Sequence, residues 1–455
     1  MLIEPEKFQL TDYIGKEYDC VCGKKHRTPL KEVLIDPGVI FRVPELVRKY
    51  GHKNVLVICD SNTYEAAGKK LISLLTEAGI ENSLRLFTEE LVPDETSLGS
   101  VVMSITRDCD LLIGVGTGCI NDLSKFASFM CGREYFIVAT APSMDGFASV
   151  GAPLISDNLK TTFDAHSPEA IIGDTDILCR APMDLINAGL GDILGKFTCL
   201  TDWKLSQIVN EEYYCPTIVR MVEHSIAEVM DNADGVKKRD PKAVSAIMKA
   251  LVLTGIAMYY AGNSRPASGC EHHLSHFLEM RFLFAGRKPV FHGRKVAVGA
   301  VTCCYMYHRL IDRKIDFAAA RKSGGSFDFE AWKKEMEKDF DKAAPGVILL
   351  EEKVGKNDSA KCLKRIDTIE KHWDEITGMI RNELPQTERL ISILKDLGAP
   401  YTPQGVGVER ELYTMGIKAA KEVRDRYTLL QLLWDLGLLN EFAEDAAEHF
   451  FDGNV

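Results

Sequence analysis

Short apolar runs alternate with stretches of helical periodicity through the first part of the chain. Residues 54–60, Asn-Val-Leu-Val-Ile-Cys-Asp, make an apolar run of strand length that stops on an acid. Residues 66–78 space their apolar side chains at three and four, which predicts a helix. Residues 83–87 predict a second strand and 96–106 a second helix. A third strand is predicted over 110–116, a helix over 121–130 and a fourth strand over 135–140. Strands of this buried kind, separated by amphipathic helices, predict a parallel sheet covered on both faces.

Near Cys179 the pattern changes. From Leu185 onward apolar positions recur at three and four, with few β-rich runs. Segments 218–230, 244–260, 296–310 and 427–436 read as helices. Arg239-Asp240-Pro241 and Ser323-Gly324-Gly325-Ser326 predict loops, and the charged run 332–342 predicts a solvated helix face. Ahead of the first strand, residues 19–26 predict a small hairpin with Gly23 in its turn. The reading is therefore a hairpin extension (1–33), an α/β domain (34–179) and an all-α domain (180–455).

Composition narrows the classes. The chain has 455 residues, enough for two or three cores. A net charge of −11 argues against a general nucleic-acid or anionic-membrane surface. The amino terminus lacks the charged-then-apolar pattern of a signal peptide, and the apolar stretch 246–261 is broken by Lys249, so no membrane span is expected. Thirteen cysteines, an odd number without framework spacing, suit reduced thiols in the cytoplasm. Cys20, Cys22 and His26 offer three metal ligands. They lack a fourth and the usual spacing, so the hairpin reads as two half-buried thiols.

Two constellations carry chemistry. Gly114-Val115-Gly116-Thr117-Gly118 follows the third strand and opens a helix, where backbone amides can cradle a pyrophosphate. Asp60 ends the first strand, placed either to accept from an adenosine ribose or to cap the next turn. Thr140-Ala141-Pro142-Ser143-Met144-Asp145 follows the fourth strand at the same sheet edge. The second constellation is Asp192 within Gly189-Leu190-Gly191-Asp192, His272 and His276 in Glu271-His272-His273-Leu274-Ser275-His276, and His292 in a loop before Gly293. One carboxylate and two imidazoles make a catalytic divalent-metal shell with an open position. Asp192 alone also reads as a helix N-cap. Lys196 and Arg294 stand near enough in sequence to reach a substrate phosphate.

Gly114 to Asp122, residues 140–146, Gly191-Asp192, Glu271-His272…Ser275-His276, Phe291-His292-Gly293, Gly398-Ala399-Pro400 and Arg424-Asp425-Arg426-Tyr427-Thr428 together resemble the sn-glycerol-1-phosphate dehydrogenases. These belong with dehydroquinate synthases, glycerol dehydrogenases and iron-dependent alcohol dehydrogenases. The resemblance runs from about Leu34 to Leu438. It implies a Rossmann-like parallel sheet followed by a helical domain, the dehydroquinate synthase-like fold, in a homo-oligomer. It implies metal ligation by Asp192, His272 and His292, and substrate contacts from Asp145, Asp192 and His276. It implies NAD or NADP on Asp60, Gly116, Gly118, Cys119, Ile120, Asn121, Asp122, Thr140, Ser143 and Ser149. The metal would be zinc, or alternatively nickel or iron. The implied activity is reversible reduction of dihydroxyacetone phosphate to sn-glycerol 1-phosphate. The alternatives are a glycerol or polyol dehydrogenase and a lyase of the dehydroquinate synthase type.

Overall fold

Six short, mostly apolar segments pair side by side into one parallel sheet. The structure is a computed structural model that describes Pro5, residues 8–157 and residues 159–453. Strands are numbered from the amino terminus. β1 (Tyr18–Asp19) and β2 (Lys25–His26) form the predicted hairpin, with Gly23 at φ 82° in its turn. Cys22 Sγ lies 3.4 Å from His26 Nε2, and the His26 ring stacks on Tyr260.

The sheet itself contains β3 (Glu32–Leu34), β4 (Asn54–Asp60), β5 (Glu81–Phe87), β6 (Leu111–Gly116), β7 (Glu134–Ala139) and β10 (Ala170–Ile172). Its order is β3-β10-β7-β6-β4-β5, parallel throughout. All of β6 is buried. Val55, Val57, Leu111, Ile113, Phe136 and Val138 join Leu71 and Leu75 of the Lys69–Glu77 helix in one core cluster. Each such aliphatic burial contributes roughly 1.5–3 kcal/mol. β8 (Gly151–Ser156) and β9 (Leu159–Asp164) form a separate antiparallel hairpin.

The chain divides into two units, Met1–Ile193 with Pro216–Ser264, and Leu194–Cys215 with Arg265–Val455. The first holds the sheet and the helices Pro216–Asp231 and Pro241–Ala261. The latter helix starts at Asp240, whose carboxylate accepts from Lys242 N at 2.8 Å, and stops at Gly262 with φ 73°. By length and composition it could cross a membrane, contrary to the reading around Lys249. However, 78% of its apolar window is buried inside the protein, as in a core helix. The second unit is helical. Its Phe329–Phe340 helix buries Trp332, Met336 and Phe340 at four-residue spacing and presents most of its charges outward, Asp339 being the buried exception.

Candidate active site

In the first unit the chain places β5 on one side of β4 and β6 on the other. The carboxyl ends of β4 and β6 flank this reversal, which is where open α/β sheets take ligands. Asp60 ends β4 and Gly116 ends β6. The helix Gly118–Met130 begins two residues further on, so its first amides have no intrahelical acceptor. Asp60 Oδ1 accepts from Thr63 N at 2.9 Å, which is the capping role foreseen as its alternative. Its Oδ2 makes no hydrogen bond among the described residues.

The segment after β7 is tied to this turn. Thr140 N donates to Gly116 O at 3.1 Å, and the Thr117 and Ser143 hydroxyls bond each other. Thr140, Ser143 and Ser149 are all buried. Lys125, fully buried, donates to Gly146 O at 2.8 Å, Ser149 Oγ at 3.2 Å and Gly151 O at 2.9 Å. Burial pushes its pKa down to about 8 in spite of Asp122 and Asp145. Burial likewise pushes Asp122 up to about 6, against the pull of Lys125 and Lys160.

Gly189 brings the Met183–Asn210 helix against this loop. A Cβ there would sit 1.8 Å from Pro142 O, so only glycine permits the approach. In the next turn Asp192 Oδ2 accepts from Asp145 N at 2.9 Å. Asp192 is buried well inside the helix, so it is not the N-cap that it could be read as on its own.

In the second unit His272 and His276 share a face of the Cys270–Phe284 helix, as their spacing predicted. His292 is not in a loop; it is the first residue of the His292–Ile311 helix. Its ring centroid lies 5.1 Å from that of His272 and 5.4 Å from that of His276. Gly299 lets the two helices meet, since a Cβ there would fall 2.6 Å from Glu271 O.

Two carboxylates hold the rings. His272 Nδ1 is 2.7 Å from Glu271 Oε1, and His292 Nδ1 is 3.0 Å from Glu279 Oε1. Glu279 Oε2 also takes His276 Nδ1 at 3.2 Å, and Lys295 Nζ lies 3.2 Å from Glu279 Oε1. An acceptor on Nδ1 fixes the tautomer that leaves Nε2 as a lone pair, the usual setting of a metal-binding imidazole. Burial raises Glu271, but His272, Thr198 and Gly269 N outweigh it and hold its pKa below the ordinary carboxylate value. Burial drives His276 down to about 3 despite Glu279, so its ring is neutral.

The predicted nucleotide residues thus gather with Asp145 and Asp192 in the first unit. His272, His276 and His292 gather in the second. Sequence reasoning missed Glu279, although it lies three residues after His276 and seven after His272 on their helix face. It also gave no role to Glu271 or Lys125. Lys196 is fully buried and donates to Ala267 O at 3.0 Å.

Residues 34–182 match the family of iron-containing alcohol dehydrogenases. A glycerol-1-phosphate dehydrogenase [NAD(P)+] of Halalkalibacterium halodurans is 30% identical over 420 residues, 91% of this chain and 95% of the relative. The enzyme of the same name from Bacillus licheniformis is 30% identical over 436 residues, 94% of this chain and 96% of the relative. Among solved structures, an alcohol dehydrogenase from Oenococcus oeni superposes with a TM-score of 0.60 at 14% identity. It covers 92% of this chain and 98% of its own, which speaks for the dehydroquinate synthase-like fold alone. At this identity over nearly the full length of both chains, with the switch-point loop and carboxylate-anchored histidines in place, the chain belongs to the glycerol-1-phosphate dehydrogenase family.

Proposed function

We propose that the protein is an NAD(P)-dependent oxidoreductase that reversibly reduces dihydroxyacetone phosphate to sn-glycerol 1-phosphate. The observation that carries this reading is the full-length likeness to enzymes of that name. Residues 34–179 would bind the nucleotide, 180–455 the metal and substrate, and 1–33 would be a hairpin extension. Assembly as a homo-oligomer in the cytoplasm is carried over from the family.

The family resemblance implies that one oxygen from Asp192 and one Nε2 each from His272 and His292 would hold a divalent ion, a donor set that suits zinc, with nickel and iron as alternatives. The tautomers fixed by Glu271 and Glu279 support this fit. A divalent ion held there would polarise the ketone of the substrate. The chain's own residues do the rest. Asp192 accepts from Asp145 N and so fixes the Asp145 segment, and Asp145 would orient the substrate hydroxyl. His276, neutral and turned by Glu279, accepts a hydrogen bond at Nε2 from the same substrate. The amides of Gly116, Gly118, Cys119, Ile120, Asn121 and Asp122 hold the pyrophosphate. Thr140, Ser143 and Ser149 line the nicotinamide end, and Asp60 Oδ2 takes the ribose hydroxyls, which favours NAD over NADP.

The test is NADH oxidation with dihydroxyacetone phosphate after chelation, with zinc, nickel or iron added back and the product enantiomer assigned. Metal-restored turnover giving sn-glycerol 1-phosphate is expected, and His292→Ala should lose both metal and turnover. Turnover of glycerol but not of the phosphorylated ketone would move the activity to the polyol dehydrogenases. Full activity in metal-free His292→Ala would remove the metal assignment.

A further inference from the structure

A cluster of cations in the second unit exceeds its carboxylate partners. The Ala420–Val423 turn packs against the Cys270–Phe284 helix and leads into Arg424-Asp425-Arg426-Tyr427-Thr428. The Arg424 guanidinium makes no hydrogen bond or ion pair among the described residues, and the neighbouring Asp425 is exposed. Arg426 Nη1 donates to Ser268 O at 3.3 Å. The nearby acids serve other cations. Glu212 takes Arg265 Nε at 2.8 Å, and Glu422 pairs with Lys356 at 3.1 Å and with Lys421. Burial depresses Arg426 to about 9, with the repulsion of Arg424 and Arg265 adding to it and Glu212 and Asp425 pulling the other way.

Unsatisfied polar atoms accompany this excess of charge. His273 is fully buried and neither ring nitrogen has a partner among the described residues. Arg426, Arg424, Lys356 and Arg265 lie near enough that their charge adds to burial in disfavouring a protonated ring. The Ser268 hydroxyl, on the residue that Arg426 contacts, is 5% exposed and also unpartnered. The first amides of the helix are not available, because Gly269 N and Cys270 N are taken by Glu271 and Asp202 at 2.8 and 2.6 Å. Burial disfavours the Arg424 charge, and the exposed Asp425 offsets this only in part, which is costly for a guanidinium. A phosphate dianion would relieve it, and the guanidinium fork matches phosphate oxygens in pairs. Arg424 directly follows the turn packed on the Cys270–Phe284 helix, and its charge reaches His276 as well as His273, so an anion beside it would lie near the histidine-bearing helix.

We propose that Arg424 and Arg426, with the Ser268 hydroxyl and a His273 ring N–H, bind the phosphate monoester of the three-carbon substrate. The proposal rests on the reading of His272, His276 and His292 as the reducing centre. A phosphate monoester could also come from the 2′-phosphate of NADP, and the test separates the two. Steady-state constants are measured for wild type and Arg424→Gln with dihydroxyacetone phosphate, NADH and NADPH, together with inhibition by inorganic phosphate. The expected result is a rise of about 100-fold in KM for the phosphorylated ketone and in the phosphate inhibition constant. KM for both dinucleotides should stay within twofold.

An unchanged KM for the ketone in an active variant overturns the proposal and leaves the reductase reading standing. A rise confined to NADPH overturns it in favour of the cofactor. If wild type turns over no phosphorylated ketone, thermal protection by inorganic phosphate is compared instead. Protection lost in Arg424→Gln keeps the anion site and removes the reductase reading; protection retained overturns the site. Should Arg424→Gln fail to fold, Arg424→Lys carries the test, with KM expected to rise about tenfold because the charge stays and the fork goes. No rise in that variant overturns the proposal too.

Discussion

The two clusters of proposed site residues, one in each unit, are built from different materials. Around Gly116–Ser149 the groups proposed to meet ligand are backbone amides and small hydroxyls, and Lys125 ties the loop together from inside. Around His272–His292 the groups proposed to meet ligand are side chains, and each is turned by a carboxylate. A pyrophosphate needs close approach and many weak donors, which backbone supplies at helix ends. A metal needs a few donors in fixed directions, which side chains supply only when a second group holds them.

If that contrast is right, the histidine half should be the more sensitive to losing a charge that touches no ligand. Glu271→Gln keeps the volume and weakens the hold on His272 Nδ1. Metal affinity, measured by chelator competition, should fall by about 10–100-fold with the fold retained. An unchanged affinity would mean that His272 is oriented by packing alone. The nucleotide half should be the more sensitive to backbone crowding. Gly189→Ala places a methyl 1.8 Å from Pro142 O, and the resulting shift should cost about 1–3 kcal/mol by urea denaturation. No loss of stability would show that the helix can move aside freely.

The smallest effect concerns pH. Lys125 loses its proton near pH 8 in the folded protein and near 10.5 in the unfolded chain. Below pH 8 the ammonium can serve all three of its oxygen partners; above it the amine has fewer hydrogens to give. KM for NADH should therefore rise a few-fold between pH 7 and 9, and Lys125→Met should flatten that profile. The effect on stability has the opposite sign. Between pH 8 and 10.5 the unfolded chain binds more protons, so this group adds stability as pH rises. A wild-type profile that is flat from pH 7 to 9 would detach Lys125 from the nucleotide loop.

The contrast between the halves also sets what could be read in the sequence. β4, β6 and β7 were legible because their apolar runs are continuous and their ends carry Asp60, Gly116 and Thr140. Strands β3 and β10, at three residues each, are too short to show a period. The β8–β9 hairpin shows β9 largely exposed and so offers no apolar run. His272 and His276 were legible from their spacing. The helical setting of His292 was not, because Phe291 supplies no side-chain cap to mark the start. Asp192 looked like a cap because, taken alone, it stands at the start of an apolar helical run. Gly189 before it is explained by packing, since it sits where the helix meets a carbonyl. Glu279 was invisible because a carboxylate acting through a neighbouring ring has no pattern of its own.

Glu279 has one further implication. Its two oxygens are divided between His292 and His276, so the two rings are not independent variables. An engineer who replaced His292 would leave Glu279 Oε1 to Lys295 and alter the pull on His276 as well. Metal preference and substrate orientation would then drift together, and variants selected for one property would carry a correlated change in the other.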